Sequence, residues 1–356
     1  MKKVFCFSLL VLLMQYIKAQ PAADSIHYAA EKHFANMQQL TFGGDNAEAY
    51  FSFDGQWLVF QRTNPKEGMM CDEIFIGKVP VNGEKFDPIK ISSGKGRTTC
   101  GAFMKDGKHI IYASTHLGAD TCPPVPDRKK YGNKYIWPLY SSYDIFMSDL
   151  NGKIIKQLTT SKGYDAEATI SPDGKKMIYT SVKDGDIDLY VMDLKTGKEK
   201  RFTNTLGYDG GAWFSPDGKK IIWRASRPKT ESEIKEYKDL LAENLVAPIN
   251  MEVFIANTDG SNVKQVTAFG NANWAPAYLP DSKRIIFASN YQSKRGFPFN
   301  LYLINEDGTG LEKISAEKIF DAFPMFSPDG KKIVFCSNRN NGGTRDTNIF
   351  IADWVE

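Results

Sequence analysis

Ten polar residues of this chain are candidates for shared chemistry, because most of them return at one place in a repeating unit. Glu48, Arg97 with Thr98, Asp165 with Glu167, Asp209, Asn273 and Asp321 each stand at or near the start of a short apolar strand. Acids, one arginine and an amide converging on a common axis could bind a cation, a sugar or a peptide amine. Duplication of a single repeat would also leave an acid in four copies with no ligand to hold. Arg224 and His116 complete the set as polar neighbours of the same end. For catalysis the inventory is thin. Of four histidines, His27 and His33 precede the repeats and His109 lies beside a tight turn. Only His116 falls in a long loop, where a lone histidine is more often incidental than a general base.

The elements that must position these residues are legible from six near-identical turns. SFDGQWLVF at 52–60, MKDGKHIIY at 104–112, SPDGKKMIY at 171–179, SPDGKKIIW at 215–223, LPDSKRIIF at 279–287 and SPDGKKIVF at 327–335 each lead into a strand. Self-similarity at a period of roughly 40–50 residues marks a propeller or solenoid. Residues 160–203 show the unit most cleanly. An inner strand at 164–170 meets a tight Ser-Pro-Asp-Gly turn, followed by strands at 176–181, 187–192 and 199–203. β-Branched and aromatic residues between Gly, Asp and Pro turns give four short strands per blade. The expected fold is therefore all-β: a six-bladed β-propeller of four-stranded antiparallel blades. Its repeats fall near residues 42–92, 93–159, 160–203, 204–267, 268–315 and 316–354.

The outer strand carries a tag: Gln157-Leu158-Thr159, Arg201-Phe202-Thr203, Gln265-Val266-Thr267 and Lys313-Ile314-Ser315. The same tag stands before the first repeat, at Gln39-Leu40-Thr41, whereas the chain ends on a third strand at 348–354. Residues 37–41 are thus predicted to complete the blade of residues 320–354, closing the ring and removing its open edges.

The SPDGKK turn, followed by the Ser-x-Arg type tail seen at Phe335-Cys336-Ser337-Asn338-Arg339, resembles the WD-like repeats of TolB-type propellers. The resemblance covers the chain after residue 20. It implies the fold and speaks weakly to activity, since propellers host many unrelated functions. TolB proteins carry an α/β domain before the propeller, and only a short stretch precedes the first repeat here, which puts a TolB-like envelope role in doubt. The repeat also resembles propeller lyases that act on acidic sugars through a histidine-bound metal; one suitable histidine argues against carrying that chemistry over. Prolyl-oligopeptidase-like enzymes share the repeat too, but their G-x-S-x-G elbow is absent.

Residues 1–19 read as a secretory signal: Lys2 and Lys3, an apolar run from Val4 to Met14, and a cleavage site at Ile17-Lys18-Ala19. A membrane span needs about 20 apolar residues, so no transmembrane anchor is expected after cleavage. The destination is periplasmic, with secretion possible. Setting aside Lys2, Lys3 and Lys18, the 45 basic residues fall to parity with the 42 acidic ones, and nothing calls for nucleic acid. Cys71, Cys100 and Cys122 lie in adjacent blades at one face, and a disulfide of Cys100 with Cys71 or Cys122 is expected there; Cys336 reads as a core filler. The C-x₂-C spacing of structural zinc is missing, and neither a metal nor another cofactor is expected.

Antiparallel succession sorts the loops into two faces. Residues 62–72, 115–142, 227–250 and 291–300 all join second to third strands, so the insertions gather opposite the SPDG turns. Loops on a rigid scaffold are where binding usually resides. The 115–142 insertion carries Tyr131, Tyr135, Trp137 and Tyr140, suited to sugar stacking, to peptide contact or simply to packing on the ring. The 227–250 insertion reads as a helix opened by a Thr230–Glu233 capping box, its stripe of Ile234, Tyr237, Leu241 and Leu245 docking on that face. The expectation is a binding or scaffold propeller that offers this face to an envelope protein or a saccharide. The alternative is a carbohydrate- or peptide-active enzyme with its site at the channel mouth.

Overall fold

The computed structural model describes residues 26–81, 83–132, 134–293, 296–315 and 319–356. The secretory signal expected at residues 1–19 lies outside them. Six four-stranded antiparallel sheets are arranged as blades, and a seventh sheet of two short strands joins two of the insertions. No helix among the described residues is long and apolar enough to cross a membrane.

The second strand of each blade is nearly all apolar because both faces of its sheet pack on neighbouring blades. In Lys176–Ser181 every residue after the lysine is buried, as a strand covered on two sides requires. The turn before it is built from its own polar atoms. Ser171 Oγ donates to Asp173 Oδ1 at 2.7 Å, while Asp173 accepts from Lys175 N at 3.1 Å and Ser171 accepts from Lys176 N at 2.9 Å. Gly174 takes φ +75°, a left-handed value that side chains resist.

The tag on the outer strand has an equally local cause. Its hydroxyl accepts the N–H of a third-strand residue: Ile145 to Thr159, Leu189 to Thr203, Val253 to Thr267 and Leu301 to Ser315, each at 2.9 Å. In the first blade Ser92 accepts from Ile74 N at 2.8 Å. The sixth copy crosses the chain ends, with Ile349 N donating to Thr41 Oγ1 at 2.9 Å. The strand Phe34–Gln39 pairs antiparallel with Asn348–Trp354, closing the ring as its pattern predicted.

A buried ion cluster strengthens that closure. Arg339 donates to Glu31 at 2.9 and 3.0 Å and to Asp321 at 3.0 and 3.1 Å, and all three side chains are sealed from solvent. The arginine of the Ser-x-Arg tail is therefore a structural tie between the N-terminal segment and the last inner strand.

Candidate functional site

Every inner strand carries the same irregularity. The pairing register slips between Ala47 and Tyr50, Thr99 and Ala102, Ala166 and Thr169, Gly210 and Trp213, Trp274 and Ala277, and Ala322 and Met325. At each slip one residue is left-handed: Glu48, Cys100, Glu167, Gly211, Ala275 and Phe323, with φ between 47° and 61°. Such bulges re-aim side chains, and a left-handed non-glycine residue costs roughly 1–2 kcal/mol. Five of the six are non-glycine and so strained, and four of them, Glu48, Cys100, Glu167 and Phe323, line the floor of the loop-face cavity.

The residue that opens each inner strand, or in the first blade the one after it, does something else. Asn46, Thr98, Asp165, Asp209, Asn273 and Asp321 are all fully buried. They fasten each blade to the one before it. Asp165 N donates to Tyr143 O, Asp209 N to Ile187 O and Asp321 N to Phe299 O, each at 3.0 Å. Thr98 Oγ1 donates to Asp72 O at 3.0 Å, and Asn273 Nδ2 to Met251 O at 2.8 Å. Their side chains are occupied as well. Asp209 accepts from Trp223 Nε1 and Arg227, both at 2.6 Å, and Asn273 Oδ1 accepts from Ser289 at 2.7 Å.

The expected ring is thus divided in two. Glu48, Arg97, Glu167 and Arg224 line the cavity; Thr98, Asp165, Asp209, Asn273 and Asp321 are turned into the blades. His116 stands aside as well, tilted against Phe146 at 4.5 Å with Nδ1 2.8 Å from Ser114 Oγ. The cysteine expectation is corrected: the disulfide joins Cys71 to Cys122, and Cys100 is a free thiol in the floor ring. The left-handed turn at Cys100 aims its side chain at the axis, away from its neighbours in the loops.

Glu167 is the most heavily partnered floor residue. It accepts from Thr180 Oγ1 at 2.8 Å, from Tyr208 OH at 2.8 and 3.0 Å and from Gly211 N at 3.1 Å, and it is ion-paired with Arg224. Gly211 leaves the room Arg224 occupies, since a Cβ there would stand 2.5 Å from its guanidinium. Arg97 is held by Asp72 at 2.6 Å, and Asp72 also accepts from Thr63. Glu48 differs. Burial lifts its pKa to about 7, with the Cys100 thiol and the more distant Arg224 opposing the rise and Glu167 adding to it. Burial likewise drives the Cys100 thiol and the Tyr143, Tyr164 and Tyr208 phenols well above their usual values, so they stay protonated.

Above this floor the cavity is about 770 Å³ and largely aromatic, within the range of small-molecule sites. Some rings come from the residue just before each latch: Tyr164, Tyr208 and Phe320, with Arg97 and Ala272 at the same position. Others come from the insertions. Trp137–Pro138 pairs antiparallel with Leu245–Val246, joining two long loops across the mouth. The helix Glu231–Ala242, opened by its Thr230–Glu233 capping box, buries Tyr237 and Leu240 and supports the joint. Trp137 lies 5.4 Å from Trp274, whose Nε1 donates to Pro248 O at 3.2 Å. The Cys71–Cys122 bridge ties this roof to the first blade. Among the described residues no group of three or more His, Cys, Asp and Glu side chains is placed to hold a metal ion.

Sequence reasoning missed Asp72, Cys100, Tyr164, Tyr208 and Trp274 as cavity residues. The signal for two of them was present: Gly163-Tyr164-Asp165 and Gly207-Tyr208-Asp209 place an aromatic one residue before the latch acid.

The sequence profile described as the TolB beta propeller domain matches residues 139–240 and 246–350, more than half of the chain. The chain belongs to the TolB β-propeller family. No curated protein sequence matches it. Among solved structures, a putative TolB from Agrobacterium tumefaciens superposes with a TM-score of 0.56 at 19% identity, covering 88% of this chain and 91% of that one. TolB from Acinetobacter baumannii gives 0.56 at 20% identity, covering 85% of this chain and 64% of that one. The family member described here therefore spans less than two thirds of the second TolB. An oligogalacturonate lyase from Vibrio parahaemolyticus gives 0.50 at 16% identity, covering 89% and 93%. At these identities the likenesses speak to the fold alone.

Proposed function

We propose that this protein is an exported binding propeller of the cell envelope whose loop-face cavity takes a saccharide chain. The observation that carries the reading is the composition of that cavity. Tyr and Trp rings from the inner strands and from two joined insertions surround a polar floor in a space of about 770 Å³. Flat rings offer apolar contact to the C–H faces of sugar rings, while hydroxyl and carboxyl groups orient the hydroxyls. The roof is braced by a short sheet, a docked helix and a disulfide, so the site is formed before ligand arrives. Export follows from the N-terminal signal read in the sequence. Screening the purified protein against immobilised glycans tests the reading. Retention of a defined glycan set supports it, and retention of none removes it.

A second reading, a carbohydrate- or peptide-active enzyme, is favoured by one feature. Glu48 and Glu167 share the floor in opposed environments, the first pushed up to about 7 and the second ion-paired with Arg224. A carboxyl raised toward neutrality can act as a general acid or base. Appearance of new reducing ends from a bound glycan, abolished by Glu48→Gln, is the outcome that would favour it.

A further inference from the structure

We propose that the cavity floor is a recognition site for an organic cation, a protonated or quaternary ammonium group carried by the ligand, with Glu48 as its counter-ion. The inference deepens the saccharide reading and rests on it for the ligand's body, which makes an amino sugar the substrate class.

Among the described residues five charged side chains line the cavity: Glu48, Asp72, Arg97, Glu167 and Arg224. Asp72 holds Arg97 and Glu167 holds Arg224, so both guanidiniums are already neutralised within the protein. Glu48 is the carboxyl left over, and among the described residues no lysine or arginine forms an ion pair with it. No lysine or histidine lines the cavity among the described residues. Among the described residues an anionic sugar such as a uronate would find no uncommitted cation there, whereas an ammonium group would find an uncommitted carboxylate.

The surroundings suit a cation as well. Arg224 already sits over the rings of Trp137 and Tyr208 at 5.3 and 5.6 Å, an arrangement in which aromatic faces accept positive charge. Tyr143, Tyr164 and Phe323 line the same space, and among the described residues no cation sits over their rings. The neutral Cys100 thiol beside Glu48 brings no competing charge.

The titration of Glu48 sets a pH signature. The charged and titratable groups facing it among the described residues are Cys100, Glu167, Arg224, Asp72, Tyr50 and Cys336. Burial keeps the Cys100 and Cys336 thiols and the Tyr50 phenol protonated, and Arg224 keeps its charge, so Glu48 governs the window around neutrality. Cation binding requires its ionised form and therefore strengthens as pH rises through about 7.

The test uses the full mature protein and three probes, followed by tryptophan fluorescence or calorimetry. These are a β-1,4-linked glucosamine tetramer, its fully N-acetylated counterpart, and benzyltrimethylammonium, whose charge does not titrate. The free-amine tetramer is expected to bind at least tenfold more tightly than the acetylated one. Benzyltrimethylammonium is expected to bind more tightly at pH 8 than at pH 6. Glu48→Gln is expected to erase both differences while the acetylated tetramer still binds. Equal affinity of the two tetramers, with no response to pH or to Glu48→Gln, overturns the cation site and leaves saccharide binding standing. Ammonium binding without either tetramer supports the cation site and removes the amino sugar as its carrier. Failure of all three probes removes both assignments.

Discussion

The Arg224 guanidinium lies 5.3 Å from the ring centroid of Trp137, joining the floor of the cavity to its roof. Arg224 comes from the second strand of the fourth blade and Trp137 from the insertion of the second blade. Between them they fix how the loop face meets the channel, and the same contact makes Arg224 the member whose loss is felt on both sides.

Arg224→Ala is therefore expected to cost about 3–5 kcal/mol of stability, the range for leaving one partner of a buried pair alone. Glu167 would keep Thr180, Tyr208 and the Gly211 N–H, but no cation. Urea unfolding measures the loss, and a variant as stable as the parent would contradict the assigned pairing.

Gly211→Ala probes the floor from the backbone side. The added methyl would meet the Arg224 guanidinium at 2.5 Å, and φ of +61° already disfavours a side chain. A loss of about 2 kcal/mol or more is expected, together with weaker ligand binding as Arg224 is displaced. The equivalent Ala275 shows that a methyl is tolerated at another blade, so the effect must be specific to position 211.

How far these positions were legible is instructive. The six turns and the Gln-Leu-Thr tag disclosed the blade count and the ring closure, because each encodes a local hydrogen bond that recurs. The floor was only half legible. Asp165 and Glu167 are two apart, and strict alternation would put both on one face; the left-handed bulge at Glu167 itself breaks that parity. Nothing in a single repeat announces such a bulge, since Glu, Cys, Gly, Ala and Phe all occupy it. Cys100 illustrates the consequence: without the bulge it points toward the other two cysteines, and with it the pairing passes to Cys71 and Cys122.

Glu48 should make the protein less stable as pH rises. Its folded pKa is about 7 against an ordinary 4.5, so the native state holds the proton more tightly than the unfolded chain. The contribution is fully present below about pH 4.5 and is lost as pH rises through 7. A shift of that size corresponds to on the order of 2–3 kcal/mol, reduced where cavity water reaches the carboxyl. Glu48→Gln should therefore be more stable than the parent at pH 8 and nearly equal at pH 4. Asp209, also pushed up to about 7, gives a similar slope in both proteins and cancels in the difference. Identical unfolding midpoints for the two proteins at pH 8 would argue against a buried, unpaired Glu48.

The Cys71–Cys122 bridge spans 51 residues of sequence and anchors the roof. Replacing both cysteines by serine should lower stability by about 2–4 kcal/mol and raise amide hydrogen exchange within residues 115–142. Unchanged exchange in that segment would show that the short sheet with Leu245–Val246 holds the roof unaided.

The central claim, that the aromatic cavity is where ligand binds, meets its most direct test in Trp137→Ala. Trp137 is partly exposed and sits on an insertion, so the blades should remain folded without it. The measurement is glycan binding by the parent and the variant side by side, with circular dichroism confirming the fold of each. The parent is expected to retain a defined glycan set and the variant to bind it at least tenfold more weakly. Undiminished binding by a folded Trp137→Ala protein would place the ligand elsewhere and contradict the account.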